Sequence, residues 1–174
     1  MEEVKTGMLR TAWETLIKQY KLFITRELYN SKIGKNVTRE MYTIIRHSVL
    51  DDYAEVKEGT ILKRVKMGAW SSVNGNCSVE CVTIGKKVQI AYGCTIVGVT
   101  HNHSRLAINH EDVFDRVFIG DNSFVGANCT ILPGVNIGKF CVVGAGSVLN
   151  QDVSDGHIYM GTPQKPINKK KEVL

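Results

Sequence analysis

Between residues 119 and 154 the sequence repeats every six residues. Each of the six blocks opens with an aliphatic residue and has a small or β-branched residue in its fifth position. The opening residues are Ile119, Val125, Ile131, Ile137, Val143 and Leu149, and the fifth residues are Ser123, Cys129, Val135, Cys141, Ser147 and Val153. A helix repeats its apolar face about every 3.6 residues and a strand about every 2, so this period matches neither. It predicts an all-β solenoid in which short strands and tight turns stack coil upon coil.

Weaker copies of the repeat precede this segment. The sequence IGKNV at residues 33–37 nearly duplicates IGKKV at residues 84–88, which indicates that the coils begin near residue 33. Between the two, aliphatic residues recur five or six positions apart, at Leu50, Val56, Ile61, Met67, Val73 and Val79. We expect these early coils to be less regular, with an excursion around residues 38–47. Three regular blocks then follow from Ile84, and that coil is expected to end at His101.

The chain divides into three parts on this pattern. Residues 1–32 are predicted to be an N-terminal helical segment, because apolar residues recur at helical spacing over residues 8–30. Its apolar stripe is expected to pack on the solenoid or on a neighbouring subunit, and a membrane-surface role is the alternative. Residues 33–167 are predicted to be the solenoid, and residues 168–174 a basic tail. The insertion at residues 102–118 interrupts the repeat, and long loops in compact domains are usually functional.

Composition narrows the environment and the partners. No apolar run approaches the roughly 20 residues of a membrane span, and the acidic N-terminus lacks a signal-peptide core. The five cysteines include no CxxC pair, and three of them stand in the small fifth position of a block. We therefore expect reduced cysteines and a cytoplasmic protein. The net charge of +5 indicates either a binding site for an anionic ligand or a basic tail that is only solvated. No pattern of basic and aromatic residues indicates nucleic-acid binding.

Taken together with Val82-Thr-Ile-Gly85, Thr100-His101 and the closing Gly161-Thr-Pro163, the hexads resemble the hexapeptide-repeat acyltransferases. Within that family the sequence motifs most resemble those of the galactoside and maltose O-acetyltransferases and of the polysaccharide O-acetyltransferases. The resemblance implies a left-handed parallel β-helix, a homotrimer with active sites between subunits, and acetyl-CoA as co-substrate with no metal. The motifs that carry it lie in residues 70–167.

The resemblance also implies site residues. His101 matches the catalytic histidine, although Asn102 replaces the usual proline after it. An imidazole can accept the proton of an attacking hydroxyl and return one to the departing thiolate. Asn74 and Glu80 match acceptor-binding positions, and His103 is a further candidate for binding substrate. Asn74-Gly75 is equally a strong turn pair, and His103 is equally a solvent-facing loop residue.

Six further positions match the acetyl-CoA groove of this family: Phe124, Ala127, Ala145, Asn150, Gln151 and Lys165. Small residues there would let the pantetheine arm reach the backbone, and Lys165 matches a residue placed for the nucleotide phosphates. Asn150 and Gln151 replace a Thr-Lys pair, so one cationic contact is missing. The two alanines are equally explained by tight turns.

The sequence therefore predicts an acetyl-CoA-dependent O-acetyltransferase that acts on a sugar or polysaccharide precursor by direct transfer. A streptogramin-type antibiotic O-acetyltransferase is the first alternative. A metal enzyme of the γ-carbonic anhydrase type would need histidines from several coils around one ion. A non-catalytic solenoid scaffold is the remaining alternative.

Overall fold

The structure is a computed structural model that describes residues 28–101 and 111–162 and the backbone of residues 165–167. Within these ranges every regular element is a short β-strand, and the strands stack into three long parallel sheets, A, B and C. The chain visits the sheets in the order A, B, C and then returns to A one coil further along. No helix in the described part has the length and hydropathy required to span a membrane.

Sheet A contains one strand from each of seven coils, and sheets B and C form the other two walls. The strands of sheet A are β1 (Leu28–Tyr29), β4 (Ile44–Arg46), β7 (Ile61–Lys63), β10 (Ser78–Glu80), β13 (Thr95–Val97), β18 (Thr130–Ile131) and β21 (Val148–Leu149). Those of sheet B are β2 (Lys32–Ile33), β5 (Val49–Leu50), β8 (Lys66–Met67), β11 (Val82–Ile84), β16 (Val117–Ile119) and β19 (Asn136–Ile137). Those of sheet C are β3 (Thr38–Arg39), β6 (Glu55–Val56), β9 (Ser72–Val73), β12 (Gln89–Ile90), β17 (Phe124–Val125), β20 (Val142–Val143), β22 (Ile158–Met160) and β23 (Lys165–Ile167).

Each strand pairs in parallel with the strand one coil away, except at two hairpins. One hairpin joins β22 to β23 antiparallel and closes sheet C. The other joins β14 (Val99–His101) to β15 (Asp112–Phe114), and these two form a small sheet of their own. The parallel solenoid predicted from the sixfold period is confirmed, while the handedness of its coil stays a prediction.

The core is a set of three aliphatic columns, one behind each sheet. From the second coil onward each wall strand as far as β21 turns one apolar side chain inward, and coil after coil these side chains stack with exposures of 3% or less. Burying one Leu, Ile or Val contributes about 1.5–3 kcal/mol, so the columns are the main stabilising element of the fold. They comprise Ile45, Leu62, Val79, Ile96, Ile131 and Leu149 behind sheet A, Leu50, Met67, Ile84, Ile119 and Ile137 behind sheet B, and Val56, Val73, Ile90, Val125 and Val143 behind sheet C.

Two expectations for the early coils are wrong. The inward residue of β7 is Leu62, which is fully buried, whereas Ile61 is only half-buried. The coils are also regular from Leu28 onward, and residues 38–47 form ordinary wall strands and corners instead of an excursion. The first coil therefore begins about five residues before the predicted start at Ile33.

The three corners of the triangular coil differ in length. We call the turn from sheet A to sheet B corner AB, and the other two corners BC and CA. Corner AB has only two residues in the early coils, as at His47-Ser48, whereas corners BC and CA have four, as at residues 51–54 and 57–60. The first residue of corner AB is His47, Arg64 and Cys81 in three successive coils, so these residues form a vertical row. All three have a positive φ, of 50°, 54° and 55°.

Small side chains fill the inner side of corners BC and CA by hydrogen bonding to the next coil. Thr60 Oγ1 donates to the Asn74 carbonyl oxygen at 2.7 Å, and Ser123 Oγ donates to the Gly138 carbonyl oxygen at 2.8 Å. Cys94 Sγ does the same toward the Gly126 carbonyl oxygen at 3.1 Å. A polar or thiol group is tolerated in this buried position because its hydrogen bond is satisfied.

The insertion leaves the solenoid earlier than predicted and returns earlier. Gly98, instead of His101, is the last residue of that coil, and Val99–His101 already belongs to the hairpin. At the other end Val117–Ile119 is a wall strand of sheet B, so Phe118 lies outside the insertion. An added Cβ at Gly98 would lie 2.3 Å from the Cys81 carbonyl oxygen, which explains why the exit point is a glycine.

Several predictions fall on residues outside the described ranges. They include most of the N-terminal helix, the basic tail at residues 168–174, and the loop histidines His103 and His110. The last part of the predicted helical segment is within the described range and is different, because Leu28–Tyr29 and Lys32–Ile33 are strands.

Candidate active site

His101 lies at the outer end of β14, opposite Asp112 of β15. Its Nδ1 is 3.4 Å from Asp112 Oδ1, and the two side chains are 54% and 50% exposed. A carboxylate beside one ring nitrogen of a histidine can fix the tautomer and leave the other nitrogen for chemistry. His101 and Asp112 therefore have the arrangement of a base and its orienting partner, held at a corner rather than inside the solenoid.

The hairpin is fixed over earlier coils by two contacts at its base. The Arg64 guanidinium lies 4.8 Å from the ring centroid of Phe114, within the range of a cation–π interaction. Arg116 Nη1 donates to the Arg64 carbonyl oxygen at 3.1 Å, which reaches two coils back along corner AB. The hairpin thus folds over this corner. Cys81, which lies between Arg64 and Gly98 along the chain, is only 3% exposed.

The pairing register places four side chains on one face of the hairpin. Val99 pairs with Phe114 and His101 pairs with Asp112, and strand side chains alternate between faces. The face that carries Phe114, which contacts Arg64, is therefore the face that carries His101 and Asp112. His101 lies about 7 Å further out along the strand than Val99, at two residues of strand rise.

Glu80, predicted to bind the acceptor, lies at the end of β10 on corner AB and is half-buried. Its carboxylate pairs with the Arg64 guanidinium through Oε1 and lies 3.8 Å from Lys63 Nζ through Oε2. Because Arg64 contacts both Glu80 and Phe114, Glu80 is connected to the hairpin that carries His101.

Asn74 lies at a different corner. It begins the CA turn of residues 74–77, its carbonyl oxygen accepts from Thr60 Oγ1, and Asn76 in the same turn has a φ of 58°. This geometry is that of a structural turn, and the half-buried Asn74 side chain is separated from His101 by the width of sheet A. Asn74 is thus not brought to His101 within one chain.

The predicted acetyl-CoA residues also divide between corners. Phe124, in sheet C, is 41% exposed, Ala127 is half-buried and Ala145 is exposed, the alanines belonging to corner CA. Gly146, next to Ala145, would have no heavy atom within 4 Å of an added Cβ, so this part of the corner is open. Asn150 and Gln151 follow β21 and lie on corner AB, and both are exposed. The backbone of Lys165 pairs with Met160 at the end of sheet C.

The cysteines are further candidate nucleophiles, and all five are free and buried. A hydrogen bond with Cys129 lowers the pKa of Cys94, but its hydrogen bond with Cys77 and burial outweigh this and raise the pKa to about 11. Burial likewise raises the pKa of Cys141. A reactive cysteine needs an exposed thiolate, so these two thiols are packing groups.

Some residues of this region were not predicted from the sequence. Asp112, Phe114 and Arg116 fall within the predicted insertion at residues 102–118, and the sequence analysis singles out neither these three residues nor Arg64. The β-branched and aromatic pair Val113-Phe114 is a strand signal that would have indicated β15. No sequence signal would have indicated that Phe114 contacts Arg64.

The residues that the structure describes do not support metal ligation. Within residues 28–101 and 111–162, no three His, Cys, Asp or Glu side chains are grouped so that they could hold a metal ion. The residues that a γ-carbonic anhydrase-like site would add, His103 and His110, lie outside the described ranges.

Comparison with known proteins places the repeat in a family. Residues 116–151 match the sequence profile described as the hexapeptide repeat of succinyl-transferase. The chain is 40% identical over 94 residues to a Bacillus subtilis protein named "Putative acetyltransferase YvoF", covering 54% of this chain and 51% of that protein. It is 37% identical over 91 residues to the 2,3,4,5-tetrahydropyridine-2,6-dicarboxylate N-acetyltransferase of Staphylococcus aureus, covering 52% of this chain and 34% of that one. The match thus spans about half the length of the first relative and a third of the second.

Two solved structures extend the likeness over most of the chain. A maltose O-acetyltransferase from Clostridium difficile 630 has a TM-score of 0.58 at 26% identity, covering 88% of this chain and 76% of that one. The hexapeptide-repeat acetyltransferase VCA0836 of Vibrio cholerae, in complex with acetyl coenzyme A, has a TM-score of 0.63 at 23% identity, covering 89% and 79%. The sixfold period and the three-walled solenoid agree with the match of residues 116–151 to the hexapeptide repeat, and the chain shares its fold with solved hexapeptide-repeat acetyltransferases.

Proposed function

We propose that the protein is an acetyl-CoA-dependent acetyltransferase that transfers the acetyl group to a hydroxyl of a sugar or polysaccharide precursor. The observation that carries this proposal is the pair His101 and Asp112 on a hairpin at the mouth of corner AB. The relatives supply the reaction class, since the similar proteins are acetyltransferases and one was solved with acetyl coenzyme A.

The reaction uses His101 as general base and then as general acid. His101 takes the proton of the acceptor hydroxyl while the hydroxyl oxygen forms a bond to the acetyl carbonyl carbon. The carbon–sulfur bond then breaks, the acetyl ester is released, and the imidazolium returns the proton to the thiolate of CoA. Asp112 holds the ring through Nδ1 and stabilises the imidazolium that forms between the two steps. No covalent acyl-enzyme is required, in keeping with the buried thiols.

The acetyl-CoA site is proposed at corner CA, where Ala127 and Ala145 keep the backbone accessible and Phe124 presents an exposed ring. Corners CA and AB lie on opposite edges of sheet A, so one chain does not hold donor and base together. We therefore propose a homotrimer in which corner AB of one subunit faces corner CA of its neighbour. Within this proposal acetyl-CoA is also bound by Asn150, Gln151 and Lys165, and the acceptor is also bound by His103. The proposed location of the protein is the cytoplasm.

An amine acceptor is the second candidate. The Staphylococcus aureus relative is named as an N-acetyltransferase and is more than 30% identical over its matched segment. The acceptor ammonium would lose one proton to solvent before attack, and the same histidine would take the second as the C–N bond forms and return it to the thiolate of CoA, so the two candidates share one site and differ only in the acceptor.

The test is a thiol-release assay with acetyl-CoA and a panel of sugar, amino-sugar and antibiotic acceptors. With any acceptor that the protein uses, the change His101→Gln should lower kcat about 100-fold or more while leaving thermal unfolding unchanged. His157→Gln is the matched control, because this histidine lies on corner BC and contacts only the Asp155 carbonyl oxygen among the contacts described for its ring nitrogens. Full turnover in His101→Gln would refute the assignment of the base, and no thiol release with any acceptor would refute the reaction class.

A further inference from the structure

A basic groove lies beneath the hairpin on corner AB. It has a volume of about 230 Å³ and contains three cationic side chains against one carboxylate. The residues that line it are Arg46, His47, Lys63, Arg64 and Glu80.

The groove is preformed by contacts at both ends. At one end the Tyr29 ring packs edge-on against His47 at 5.2 Å between centroids, and Asn30 Nδ2 lies 3.3 Å from His47 Nδ1. At the other end Phe114 covers the Arg64 guanidinium. These contacts hold the walls in place before any ligand arrives, which lowers the ordering cost of binding.

Not all of the positive charge in the groove is neutralised within it. Glu80 contacts Arg64 closely and Lys63 at 3.8 Å, so one carboxylate faces two cations. Arg46 has an exposed side chain in the same groove and adds a third cation. Because the excess positive charges repel one another, binding of an anion between them is favourable. Guanidinium groups in addition bind carboxylate and phosphate with matching geometry.

The groove lies on the side to which the proposed base is directed. The hairpin face that carries Phe114 over Arg64 also carries His101, about 7 Å further out. We take the acceptor to extend along this side of corner AB, with an anionic substituent in the groove and a hydroxyl toward His101.

We propose that the acceptor carries a negatively charged group, a carboxylate or a phosphate, and that Arg46 and Lys63 bind it. This inference rests on the proposed acetyl transfer and narrows its acceptor to anionic sugars or similar small hydroxyl compounds. Arg64 positions the hairpin and Glu80 positions Arg64, whereas Arg46 and Lys63 provide the positive charge that binds the anionic substituent.

The transfer experiment compares glucose, glucose 6-phosphate and glucuronate as acceptors with the wild-type protein and two double variants. Arg46→Gln/Lys63→Gln removes two charges from the groove. Lys66→Gln/Lys86→Gln removes two exposed charges from the sheet B side and is the matched control. We expect kcat/KM for an anionic sugar to exceed that for glucose at least about tenfold, and the groove variant to raise its KM about tenfold with kcat nearly unchanged. The preferred anionic sugar distinguishes phosphate from carboxylate.

A binding experiment separates this proposal from the acetyl transfer. Glucose 6-phosphate and glucuronate are titrated into the protein without acetyl-CoA and followed by calorimetry at low and high salt. Binding that weakens with salt and is lost in the groove variant but kept in the control variant supports the anion site, even if no thiol is released. Equal use of glucose, or anion binding that the groove variant leaves unchanged, would overturn it, as would no anion binding to the wild-type protein.

Discussion

Ile61 and Leu62 are adjacent aliphatic residues of β7 with different surroundings. Leu62 is fully buried in the column behind sheet A, whereas Ile61 faces outward and is half-buried. Leu62→Ala should therefore destabilise the protein by about 2–5 kcal/mol, through lost burial and the cavity that remains. Ile61→Ala removes a similar volume from the surface and should cost less than about 1 kcal/mol. Urea unfolding of the two variants measures this difference, and a larger loss for Ile61→Ala would mean that the strand is out of register.

The same pair shows what the sequence could not determine. From Ile119 onward the aliphatic positions follow strictly every six residues, and the sequence alone assigns each inward residue correctly. In the early coils corner AB has only two residues, so one step in three is shortened to five. Where two aliphatic residues are adjacent at such a step, spacing allows either of them to face inward. Only the pairing of Ile45 with Leu62 in the neighbouring coil resolves the choice.

At the scale of elements, the hairpin of β14 and β15 is the feature on which the proposed chemistry depends. Phe114 connects it to the solenoid through its contact with Arg64. An exposed cation–π contact is worth about 0.5–1 kcal/mol, so Phe114→Ala should lower the equilibrium constant for docking of the hairpin about two- to fivefold. We expect kcat to fall by at most that factor and the amides of Val99–His101 to exchange faster, with little change in global unfolding.

Val113→Ala is the control for this prediction. Val113 pairs with Thr100 on the opposite face of the hairpin and is 42% exposed. It should leave kcat and amide exchange near wild-type values. An equal effect of the two variants would mean that the docked face is not the one that carries His101.

The hairpin also marks the limit of the prediction at this scale. The break in the repeat predicted an insertion at this corner, and the motif ending in Thr100-His101 placed the candidate base at its start. The antiparallel register that brings Asp112 to His101 depends on residues on both sides of the loop, and so does the contact of Phe114 with Arg64. Both contacts join residues far apart in the sequence and follow from the direction in which the hairpin folds, which no local pattern specifies.

At the scale of the whole molecule, the candidate site is divided between two corners of one chain. His101, Asp112 and the basic groove belong to corner AB, and Ala127 and Ala145 belong to corner CA. The three-walled solenoid is rigid, because every coil is hydrogen-bonded to its neighbours along all three sheets. A bend that joined the two corners would break these ladders, so the division is a property of the fold.

Subunit complementation tests whether neighbouring chains join the two corners. His101→Gln removes the base, and Ala145→Trp blocks the open part of corner CA; each variant alone should be nearly inactive. In trimers formed by co-refolding equal amounts of both, a site is intact only when its base comes from the Ala145→Trp chain and its CA corner comes from the His101→Gln chain. Random assembly makes about a quarter of the sites intact, so about a quarter of wild-type activity should return. Sedimentation should give three times the 19.4 kDa chain mass. Mixing two preparations of His101→Gln is the control and should restore nothing. If the co-refolded trimers are equally inactive, donor and base come from the same chain, and the site between subunits must be abandoned.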